Sequence, residues 1–435
     1  MPTARGWLIC STGVALWIAG RAFGTGALEQ LGFGLIALVV IAVFVVKMGK
    51  HDIAVSRGVS PDRVQAGREV IVTLTIKNEG KGSAPLLLLE DQIPPELAGR
   101  ARFTLNGIES GGHRQTAYKL RPGRRGRYAI GPVAITISDP FGVARLSSVA
   151  SDASTFLAYP RTETLALPRD SGKRRTTVVS ARRQPTGARG EDFYTLREYV
   201  EGDDLRRIHW PATAKRNRYM IRQEETPWHA RATILLDDVA GTYAGAGWER
   251  SVEVAASLSD LYHRSAYNFR LLCVGETGVE PGRGSDHFHR CLDLLATIRP
   301  ADIDGSPGED YDPLLLRLLE VEAQPNAHGV LALVTGDVTP VLAQALTRLA
   351  RRFKMVMVVS LPAHRYSPRG ADDAAEDRTM ETTRILDRAG VKVVVLGSTE
   401  GLTEAWSALW SPATFSPARV YREGGELWDR KPELA

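Results

Sequence analysis

The first fifty residues carry two apolar runs that contain no charged side chain, residues 6–20 and residues 31–46. Each run is somewhat shorter than the roughly 20 residues that an upright membrane-spanning helix needs. Two such runs separated by a short glycine-containing turn predict a transmembrane hairpin of two helices within residues 1–50, which thins the bilayer slightly. A cleaved signal peptide accounts for the first run but leaves the second in the membrane, so the hairpin is the better interpretation.

Basic residues flank this hairpin at its outer ends. The turn between the helices has one basic residue, Arg21, which Glu29 offsets. Because basic flanks stay in the cytoplasm, we expect a multi-pass protein of the cell membrane with a cytoplasmic soluble body. The basic residues that set this orientation are Arg5, Lys47, Lys50, Arg57 and Arg63.

Period-two alternation dominates residues 53–160. In residues 70–76 the apolar even positions alternate with Ile71, Thr73 and Thr75 before an Asn-Glu-Gly turn, which predicts a strand. Similar segments recur at the spacing of a small sandwich. We predict an immunoglobulin-like or fibronectin-like β-sandwich, by architecture only because the cysteines of those domains are absent. Nothing in it has catalytic spacing.

Residues 229–412 have a different pattern, in which buried strand-like runs alternate with amphipathic helical segments. This alternation predicts an α/β domain with a doubly wound, mostly parallel sheet. Ligand sites in such sheets lie at the carboxyl ends of the strands. Asp237 and Asp337 both follow strand-like runs, so they are candidate site residues. Residues 413–435 form a C-terminal tail.

Residues 161–228 join the two predicted domains, and their first part is basic. Residues 161–189 contain eight Lys or Arg side chains against two Asp or Glu. A solvated linker is one interpretation, and attraction to an anionic inner leaflet, worth roughly 1 kcal/mol per charge, is another. Nucleic-acid binding is a third, but the aromatic residues that stack on bases are missing, so no nucleic-acid partner is expected.

The composition is that of a globular protein, with 43% apolar and 24% charged residues among 435. Cys10, Cys273 and Cys291 have neither metal-ligand spacing nor a pairing framework, which fits a reducing compartment. The chain has no nucleotide-binding glycine loop, and no nucleophile–base pair stands out. We therefore expect no cofactor and no enzymatic activity.

The most specific segment is residues 190–225, GEDFYTLREYVEGDDLRRIHWPATAKRNRYMIRQEE. It resembles the signature of the bacterial domain of unknown function 58 family. The resemblance extends to the two-helix start and to the segment RRGRYAIGPVAITISDPFGVA, and so to essentially the whole chain. The positions that match the family pattern are Gly190, Leu196, Arg197, Glu198, Tyr199, Gly202, Asp203, Arg206, Ile208, Trp210, Ala214 and Lys215.

Opposite charges lie close together in this signature, and Tyr199 and Trp210 add large aromatic side chains with polar ends. We predict an interaction surface or an inter-domain clamp, in which Trp210 fills a pocket. A catalytic pair of Asp203 and Asp204 is the alternative, although adjacent carboxylates generally diverge unless a turn or a metal gathers them. His209 has no second ligand in spacing, so a structural role is expected.

The α/β domain resembles a von Willebrand factor type A-like domain, as the family resemblance also implies. Such domains hold a divalent ion with an Asp-x-Ser-x-Ser motif, a Thr and a second Asp. Asp237 matches the first Asp, but Val239 and Gly241 occupy the two serine positions. Asp337 corresponds to the later acidic ligand, and no Thr is identified. The resemblance implies a degenerate site, with a divalent cation such as Mg²⁺ as the alternative.

The family resemblance also implies partners. Its members are similar to components of systems that contain a MoxR-type AAA+ ATPase, often with a transglutaminase-like membrane protein. We expect a membrane-anchored adaptor or scaffold that works with such an ATPase in assembling or remodelling an envelope complex, in contact with membrane lipids. Two alternatives remain open, a surface adhesin and a metal-dependent hydrolase. The hydrolase would use Asp203, Asp204, Asp237 and Asp337.

Overall fold

The structure, a computed structural model, describes most of the chain in twelve stretches. The chain divides into two compact units, Met1–Arg161 and Thr162–Ala435, and each has its own core. The described residues are 1–48, 52–84, 87–97, 99, 101–139, 141–167, 194–199, 208–224, 231–303, 312–324, 329–367 and 373–410.

Two helices begin the first unit, α1 at Ala4–Phe23 and α2 at Gly26–Met48. Thr3 caps α1 by accepting a hydrogen bond from the Gly6 N–H at 3.1 Å, and Gly24 ends it in the left-handed conformation with φ of 67°. The prediction of short helices is wrong, because α1 continues to Phe23 and α2 begins at Gly26, so most of the predicted turn between them is helical. With 20 and 23 residues, both helices are long and apolar enough to cross a membrane.

The two helices approach closely where glycines face each other. A Cβ atom at Gly32 would lie 2.6 Å from the Gly13 carbonyl oxygen and 2.6 Å from the Trp17 amide nitrogen. Such distances exclude a side chain, so the backbones meet at glycine, as in membrane helix pairs. The large apolar side chains that these helices expose are Trp7, Leu8, Val14, Trp17, Ile18, Phe23, Leu31, Phe33, Val40, Ile41, Phe44 and Val45.

A two-layer β-sandwich makes up the rest of the first unit. Its described strands are β1 Ile53–Ser60, β2 Arg63–Gln65, β3 Val70–Asn78, β4 Leu87–Asp91, β5 Ala101–Leu105, β6 His113–Leu120, β7 Gly126–Ile130, β8 Val133–Ser138, β9 Arg145–Ser151 and β10 Ser154–Tyr159. One layer has the order β1-β3-β6, and the other consists of β5-β4-β8-β9 and β2-β10-β7. The predicted alternation of β3 places its even-numbered side chains in the core.

Two apolar clusters fill the space between these layers. Leu74 of β3 packs with Leu89 of β4 and Ile135 of β8 in one cluster. Val72 of the same strand packs with Phe156 of β10 in the other. The sheet β1-β3-β6 therefore faces both sheets of the opposite layer.

Residues 1–3 extend the sandwich by pairing with the start of β9. The Arg145 N–H donates to the Met1 carbonyl at 2.9 Å, and the Thr3 N–H donates to the Val143 carbonyl at 2.8 Å. Pro2 forms an antiparallel bridge with Ala144 between these two bonds. Because β9 is the last strand of its sheet, the segment covers the first part of an edge.

A buried ion pair lies inside the sandwich. The Arg57 guanidinium donates to the Asp91 carboxylate at 2.6 and 3.1 Å, and the two side chains are 1% and 0% exposed. The Tyr118 hydroxyl donates to the same carboxylate at 2.6 Å. Arg57, which the sequence placed among the basic residues that follow the hairpin, thus has its side chain enclosed by the sandwich.

The second unit is built on an α/β sheet. Its described elements are β11 Tyr194–Glu198, α3 Trp210–Arg216, β12 Met220–Glu224, β13 Arg231–Leu236, α4 Gly247–Arg264, β14 Asn268–Cys273, β15 Gly278–Gly282, α5 Gly284–Thr297, α6 Pro313–Ala323, β16 Val330–Thr335, α7 Pro340–Leu349, β17 Met355–Ser360, a 3-10 turn at Ala363–Tyr366, α8 Asp373–Arg388, β18 Lys392–Val395 and α9 Leu402–Leu409. The sheet order is β15-β14-β13-β16-β17-β18, and β15 alone runs antiparallel to its neighbour. The predicted mixed α/β architecture is confirmed.

Helices cover both faces of this sheet. Leu314 of α6, Leu342 of α7 and Leu386 of α8 pack with Leu333 of β16 in one core cluster. Helix α4 contacts β13, β14 and β16 and packs against α5. Strand β16 buries all six of its residues, as expected for a strand between two helical layers.

Residues 162–167, which the sequence assigned to a basic linker, pack on the α/β unit. The Glu163 carboxylate accepts hydrogen bonds from the Arg250 guanidinium at 2.6 Å and from the Thr403 N–H at 2.9 Å. The Trp406 indole N–H donates to a backbone carbonyl of the same segment at 2.7 Å. An ion pair, two hydrogen bonds to the backbone and the burial of Leu165, 1% exposed, therefore hold this segment on the α/β unit. The rest of the basic segment, up to residue 193, lies outside the described residues.

Candidate functional site

Two neighbouring strands, β13 and β16, bring polar side chains to the carboxyl edge of the sheet. They pair in parallel with Leu236 opposite Val334. The chain passes from β13 to β14 on one side, while β16 lies on the other, so this is the switch point at which ligand sites in such sheets usually form. The polar residues at these strand ends are Asp237, Asp238, Thr335 and Asp337.

Asp237 is buried beneath this edge, with 3% of its surface exposed. One carboxylate oxygen accepts a hydrogen bond from the Thr335 hydroxyl at 2.7 Å, and the other accepts one from the Val239 N–H at 3.3 Å. Burial raises the pKa of Asp237 to about 6, against the opposing effect of these two bonds. Both oxygens are thus engaged within the protein, and neither hydrogen-bond donor carries a positive charge.

Asp238 is also buried, with 2% exposed. Its carboxylate accepts a hydrogen bond from the Gly275 N–H at 2.9 Å, and its backbone carbonyl accepts one from the Ala301 N–H at 2.6 Å. Burial raises its pKa. A Cβ at position 275 would lie 2.7 Å from the Ala301 Cβ, so only glycine allows this approach. Asp238 therefore ties the end of β13 to the loops after β14 and α5.

The loop after β13 closes over the end of β16. The Tyr243 hydroxyl donates to the Val334 carbonyl at 3.2 Å, and desolvation raises the pKa of Tyr243 well above its ordinary value. A Cβ at Gly336 would lie 2.4 Å from the Thr242 carbonyl oxygen, so the two backbones touch. This loop contains Gly241, in the left-handed conformation with φ of 87°.

Asp337 is exposed, and its carboxylate accepts a hydrogen bond from the Ala363 N–H at 3.3 Å. Asp337 is thus hydrogen-bonded to the turn after β17, whereas Asp237 is hydrogen-bonded to Thr335 at the end of β16. The two aspartates therefore have different partners. Among the residues that the structure describes, no three His, Cys, Asp or Glu side chains converge to hold a metal ion. Thr335 and Asp238 were not predicted as site residues from the sequence. The available signals were the Asp-Asp pair after the buried strand β13 and the Thr-Gly-Asp sequence at the end of the buried strand β16.

The family signature folds as a hairpin with a short helix in its loop. Strands β11 and β12 pair antiparallel with Glu198 opposite Met220. His209 caps α3, because its ring Nδ1 accepts a hydrogen bond from the Ala212 N–H at 3.1 Å. The backbone N–H of His209 donates to the Met220 carbonyl at 2.7 Å. The Thr213 hydroxyl accepts from the Met220 N–H at 3.0 Å. Met220 is 2% exposed, so the backbone of α3 is fixed to β12.

The Trp210 side chain is exposed within the described part of the second unit. Trp210 is the first residue of α3, and 65% of its surface is exposed. Ala214, one helical turn later, and Lys215 are exposed as well. His209, Thr213 and the adjoining strand hold α3 without contribution from the Trp210 side chain. The predicted inter-domain clamp, in which Trp210 would fill a pocket, stays a prediction.

The other signature residues lie at several places. Glu198 forms an ion pair with Arg218 at 2.8 Å on the surface. The rings of Tyr199 and Tyr219 meet edge to face at 6.3 Å. Ile208 is half-buried before α3, and Leu196 and Arg197 belong to β11. The predicted residues outside the described part of the chain are Gly190, Gly202, Asp203, Asp204 and Arg206.

The hairpin of β11 and β12, except for Tyr194, and the whole six-stranded sheet lie in a segment of the chain that matches a known family. Residues 195–395, from β11 to the end of β18, match the family model described as "Protein of unknown function DUF58". Over these residues the chain belongs to the DUF58 family. The family resemblance predicted from the signature is therefore confirmed. A comparison of this DUF58 chain with curated protein sequences gave no significant match.

Solved structures resemble parts of this DUF58 chain only weakly. A CARDB domain from Pyrococcus furiosus, in complex with di-metal ions, is 18% identical, with 25% of this chain and 86% of that chain covered and a TM-score of 0.19. The Pseudomonas fluorescens alkylpurine DNA glycosylase AlkC, bound to DNA, is 10% identical over 30% and 38%, with a TM-score of 0.17. A chain of the human complex of Zinc 2-glycoprotein with Prolactin inducible protein is 11% identical over 26% and 94%, with a TM-score of 0.19. At these values none of the three bears on the activity of this protein.

Proposed function

We propose that this DUF58 protein is a membrane-tethered, non-enzymatic adaptor that binds a partner protein through the exposed Trp210 face of α3. The observation that carries the proposal is the 65% exposure of Trp210 on a helix whose backbone is fixed by the His209 cap and by β12. Tryptophan is one of the residue types in which the binding energy of protein interfaces is concentrated. Ala214 leaves room beside the indole, and Lys215 adds a positive charge.

The proposed partner is a MoxR-type AAA+ ATPase, together with a transglutaminase-like membrane protein. The support for this partner is the family resemblance of the signature, which contains Trp210. In this proposal the adaptor brings the ATPase to an envelope complex at the membrane, which the ATPase assembles or remodels.

The proposed α/β domain is of the von Willebrand factor type A-like kind, with a degenerate ion site. The sheet order, with one antiparallel edge strand, supports it, as does Asp237 at the end of the first central strand. Val239 and Gly241 stand where such sites have hydroxyl ligands. In the same proposal the sandwich of the first unit is immunoglobulin-like.

We place the proposed hairpin across the cell membrane, with the sandwich and the second unit in the cytoplasm. The exposed apolar side chains of α1 and α2 suit a lipid environment. Because residues 1–3 pair with residues 143–145, the start of the chain and the sandwich lie on one side of the membrane. The flanking Arg5 and Lys47 favour the cytoplasmic side.

The two alternatives gain no specific support from the described residues. A metal-dependent hydrolase needs carboxylate oxygens free for an ion, whereas both oxygens of Asp237 accept hydrogen bonds within the protein. Its other proposed residues, Asp203 and Asp204, lie outside the described part of the chain. An adhesin needs the soluble body on the opposite face of the membrane.

The adaptor proposal is tested by binding measurements with the full chain in nanodiscs. We expect a MoxR-type AAA+ ATPase from the same cell to bind the wild type, and Trp210→Ala to weaken binding by about 30-fold or more, which corresponds to about 2 kcal/mol. Because Trp210 is exposed, the same change should alter the free energy of unfolding by no more than about 0.5 kcal/mol.

The matched control is Val341→Ala on α7, which removes another exposed apolar side chain of the same unit, 59% exposed. It should bind the ATPase like the wild type. Wild-type affinity in Trp210→Ala would refute the contact, and absence of any complex would refute the partner. A large loss of stability in Trp210→Ala would restore the buried plug.

A further inference from the structure

The turn between β8 and β9 packs against the end of the helical hairpin at which α1 begins and α2 ends. Val143 and Ala144, which are 1% and 0% exposed, pack with Ala42 and Val46 of α2, and Ile9 of α1 joins the same cluster. The backbone bonds between residues 1–3 and the start of β9 hold the same two parts together. The sandwich is therefore attached to the hairpin at a defined depth.

That depth follows from helix geometry. At about 1.5 Å per residue, the 20 residues of α1 span about 30 Å, close to the thickness of a bilayer's hydrocarbon core. Ile9 lies five residues into α1, so the cluster with Val143 sits about 7 Å inside the helix end. If the hairpin crosses the bilayer as proposed above, on which this inference rests, the turn reaches the boundary between headgroups and acyl chains.

Phe141 stands out from this turn, with 66% of its surface exposed. Its position is fixed, because the Asp139 carboxylate accepts hydrogen bonds from the Phe141 N–H at 2.9 Å and from the Ala144 N–H at 2.5 Å. Gly142 adopts the left-handed conformation, with φ of 68°, that the tight turn requires. The ring is thus presented by a rigid turn at the level of the membrane surface.

Three exposed cations lie at the same end of the hairpin. Arg5 belongs to the first turn of α1, Lys47 to the last turn of α2, and Arg145 begins β9 directly after the turn. An aromatic ring among basic side chains is the composition that binds the interface of an anionic bilayer. The bilayer is the occupant because the surface is continuous with the proposed membrane helices.

We propose that Phe141 and residues 143–145 form a lipid contact that holds the sandwich against the membrane. The Phe141 ring enters the boundary between headgroups and acyl chains, and Arg145, with Arg5 and Lys47, binds anionic headgroups. The hairpin is then more than a tether, because the sandwich has a fixed orientation on the bilayer.

The test measures lipid proximity at chosen sites of the full chain in vesicles of phosphatidylcholine and phosphatidylglycerol. In a Cys10→Ala background, Phe141→Cys, Val40→Cys and Arg124→Cys each carry an environment-sensitive fluorophore, and spin-labelled lipid is the quencher. Cys273 and Cys291 are 0% exposed and should not react, which the parent chain checks.

The two control sites have opposite expected results. Val40 is an exposed residue in the middle of α2 and reports on membrane insertion alone. Arg124 is exposed just before β7, which belongs to the sheet β2-β10-β7, whereas Phe141 lies in the turn after β8 of the sheet β5-β4-β8-β9. The five residues of β7 and the six of β8 lie between the two positions, an extended length of about 36 Å.

We expect quenching at 141 and 40 to exceed that at 124 several-fold, with emission at 141 shifted to shorter wavelength. Replacing phosphatidylglycerol by phosphatidylcholine, or introducing Arg145→Gln, should reduce the shift at 141. Quenching at 40 without quenching at 141 would overturn the lipid contact and leave the hairpin intact. Absence of quenching at 40 would overturn the membrane hairpin itself. Unchanged melting of the labelled Phe141→Cys chain would establish that the sandwich is folded.

Discussion

Two buried aspartates of this protein are stabilised in different ways. Asp91 in the sandwich accepts hydrogen bonds from the Arg57 guanidinium and the Tyr118 hydroxyl. Asp237 at the sheet edge accepts them from the Thr335 hydroxyl and a backbone N–H. A cationic partner offsets part of the cost of desolvating a buried carboxylate, whereas a carboxylate with neutral donors bears most of that cost. The ionisation of Asp237 therefore opposes folding.

We predict that replacing Asp237 by Asn changes how stability depends on pH. Burial raises the pKa of Asp237 to about 6, above its unfolded value near 3.8. A group with a raised pKa supports the folded state below the unfolded pKa, and this support is lost as pH rises through the folded pKa. Relative to Asp237→Asn, the wild type should lose about 2–3 kcal/mol of unfolding free energy between pH 4 and pH 8, measured by denaturant titration.

The control is Asp337→Asn, at an exposed carboxylate of the same edge. Its stability should follow the wild type across the pH range. Parallel curves for wild type and Asp237→Asn would contradict the prediction, whatever their offset. Stabilisation of the wild type by Mg²⁺ that Asp237→Asn abolishes would instead identify Asp237 as a metal ligand.

At the scale of elements, the contact between α1 and α2 depends on glycine. The close approaches occur at Gly13, Gly20 and Gly32, where an added Cβ would meet backbone atoms of the other helix within 3 Å. Without a hydrophobic driving force between helices in lipid, such backbone contact is a main source of helix pairing. Gly34, two residues from Gly32 on α2, has nothing within 4 Å of its added Cβ.

Gly32→Ala should separate the helices, and Gly34→Ala should not. Cys10, half-buried on α1, provides the measurement because Cys273 and Cys291 are fully buried in the other unit. In detergent micelles we expect a thiol reagent to modify Cys10 several-fold faster in Gly32→Ala than in wild type. Equal rates in the two glycine variants would contradict the glycine contact.

At the scale of the whole molecule, the proposed topology follows from the pairing of residues 1–3 with the sandwich as much as from charge. Because residues 1–3 pair with residues 143–145, α1 and α2 together must bring the chain back to the side of the membrane on which residues 1–3 lie. Arg57 is buried with Asp91 in the folded sandwich. Arg5 and Lys47 are exposed at the ends of the two helices, so the charge argument depends chiefly on them.

A reporter fused after Ala435 should be in the cytoplasm. We expect a phosphatase that is active only outside the cytoplasm to remain inactive there. A fluorescent protein that folds in the cytoplasm, fused at the same place, should be bright and serves as the control. An active phosphatase would place the sandwich and the second unit on the opposite side of the membrane and favour the adhesin alternative.

The sequence predicted the elements with strong periodicity and missed those without it. Strand β3 alternates strictly and was predicted, whereas β9 exposes most of its residues and β15 is a short strand ending in Pro-Gly. The exposure of Trp210 could not be predicted from the sequence. The size and hydrophobicity of a side chain do not indicate which face of a short helix such as α3 packs against the neighbouring strand. The bond between Thr335 and Asp237 depends on strand order, which pattern alone leaves open.

The pairing of residues 1–3 with the start of β9 has a consequence for biosynthesis. Ribosomes make residues 143–145 about 140 residues after residues 1–3, which takes on the order of ten seconds at about 5–20 residues per second. During that time the first residues have no partner strand and remain beside the nascent hairpin. When β9 leaves the ribosome, residues 1–3, which cover the first part of its edge, have already been synthesised. That stretch of edge is then closed as it forms and offers no template for pairing between nascent chains.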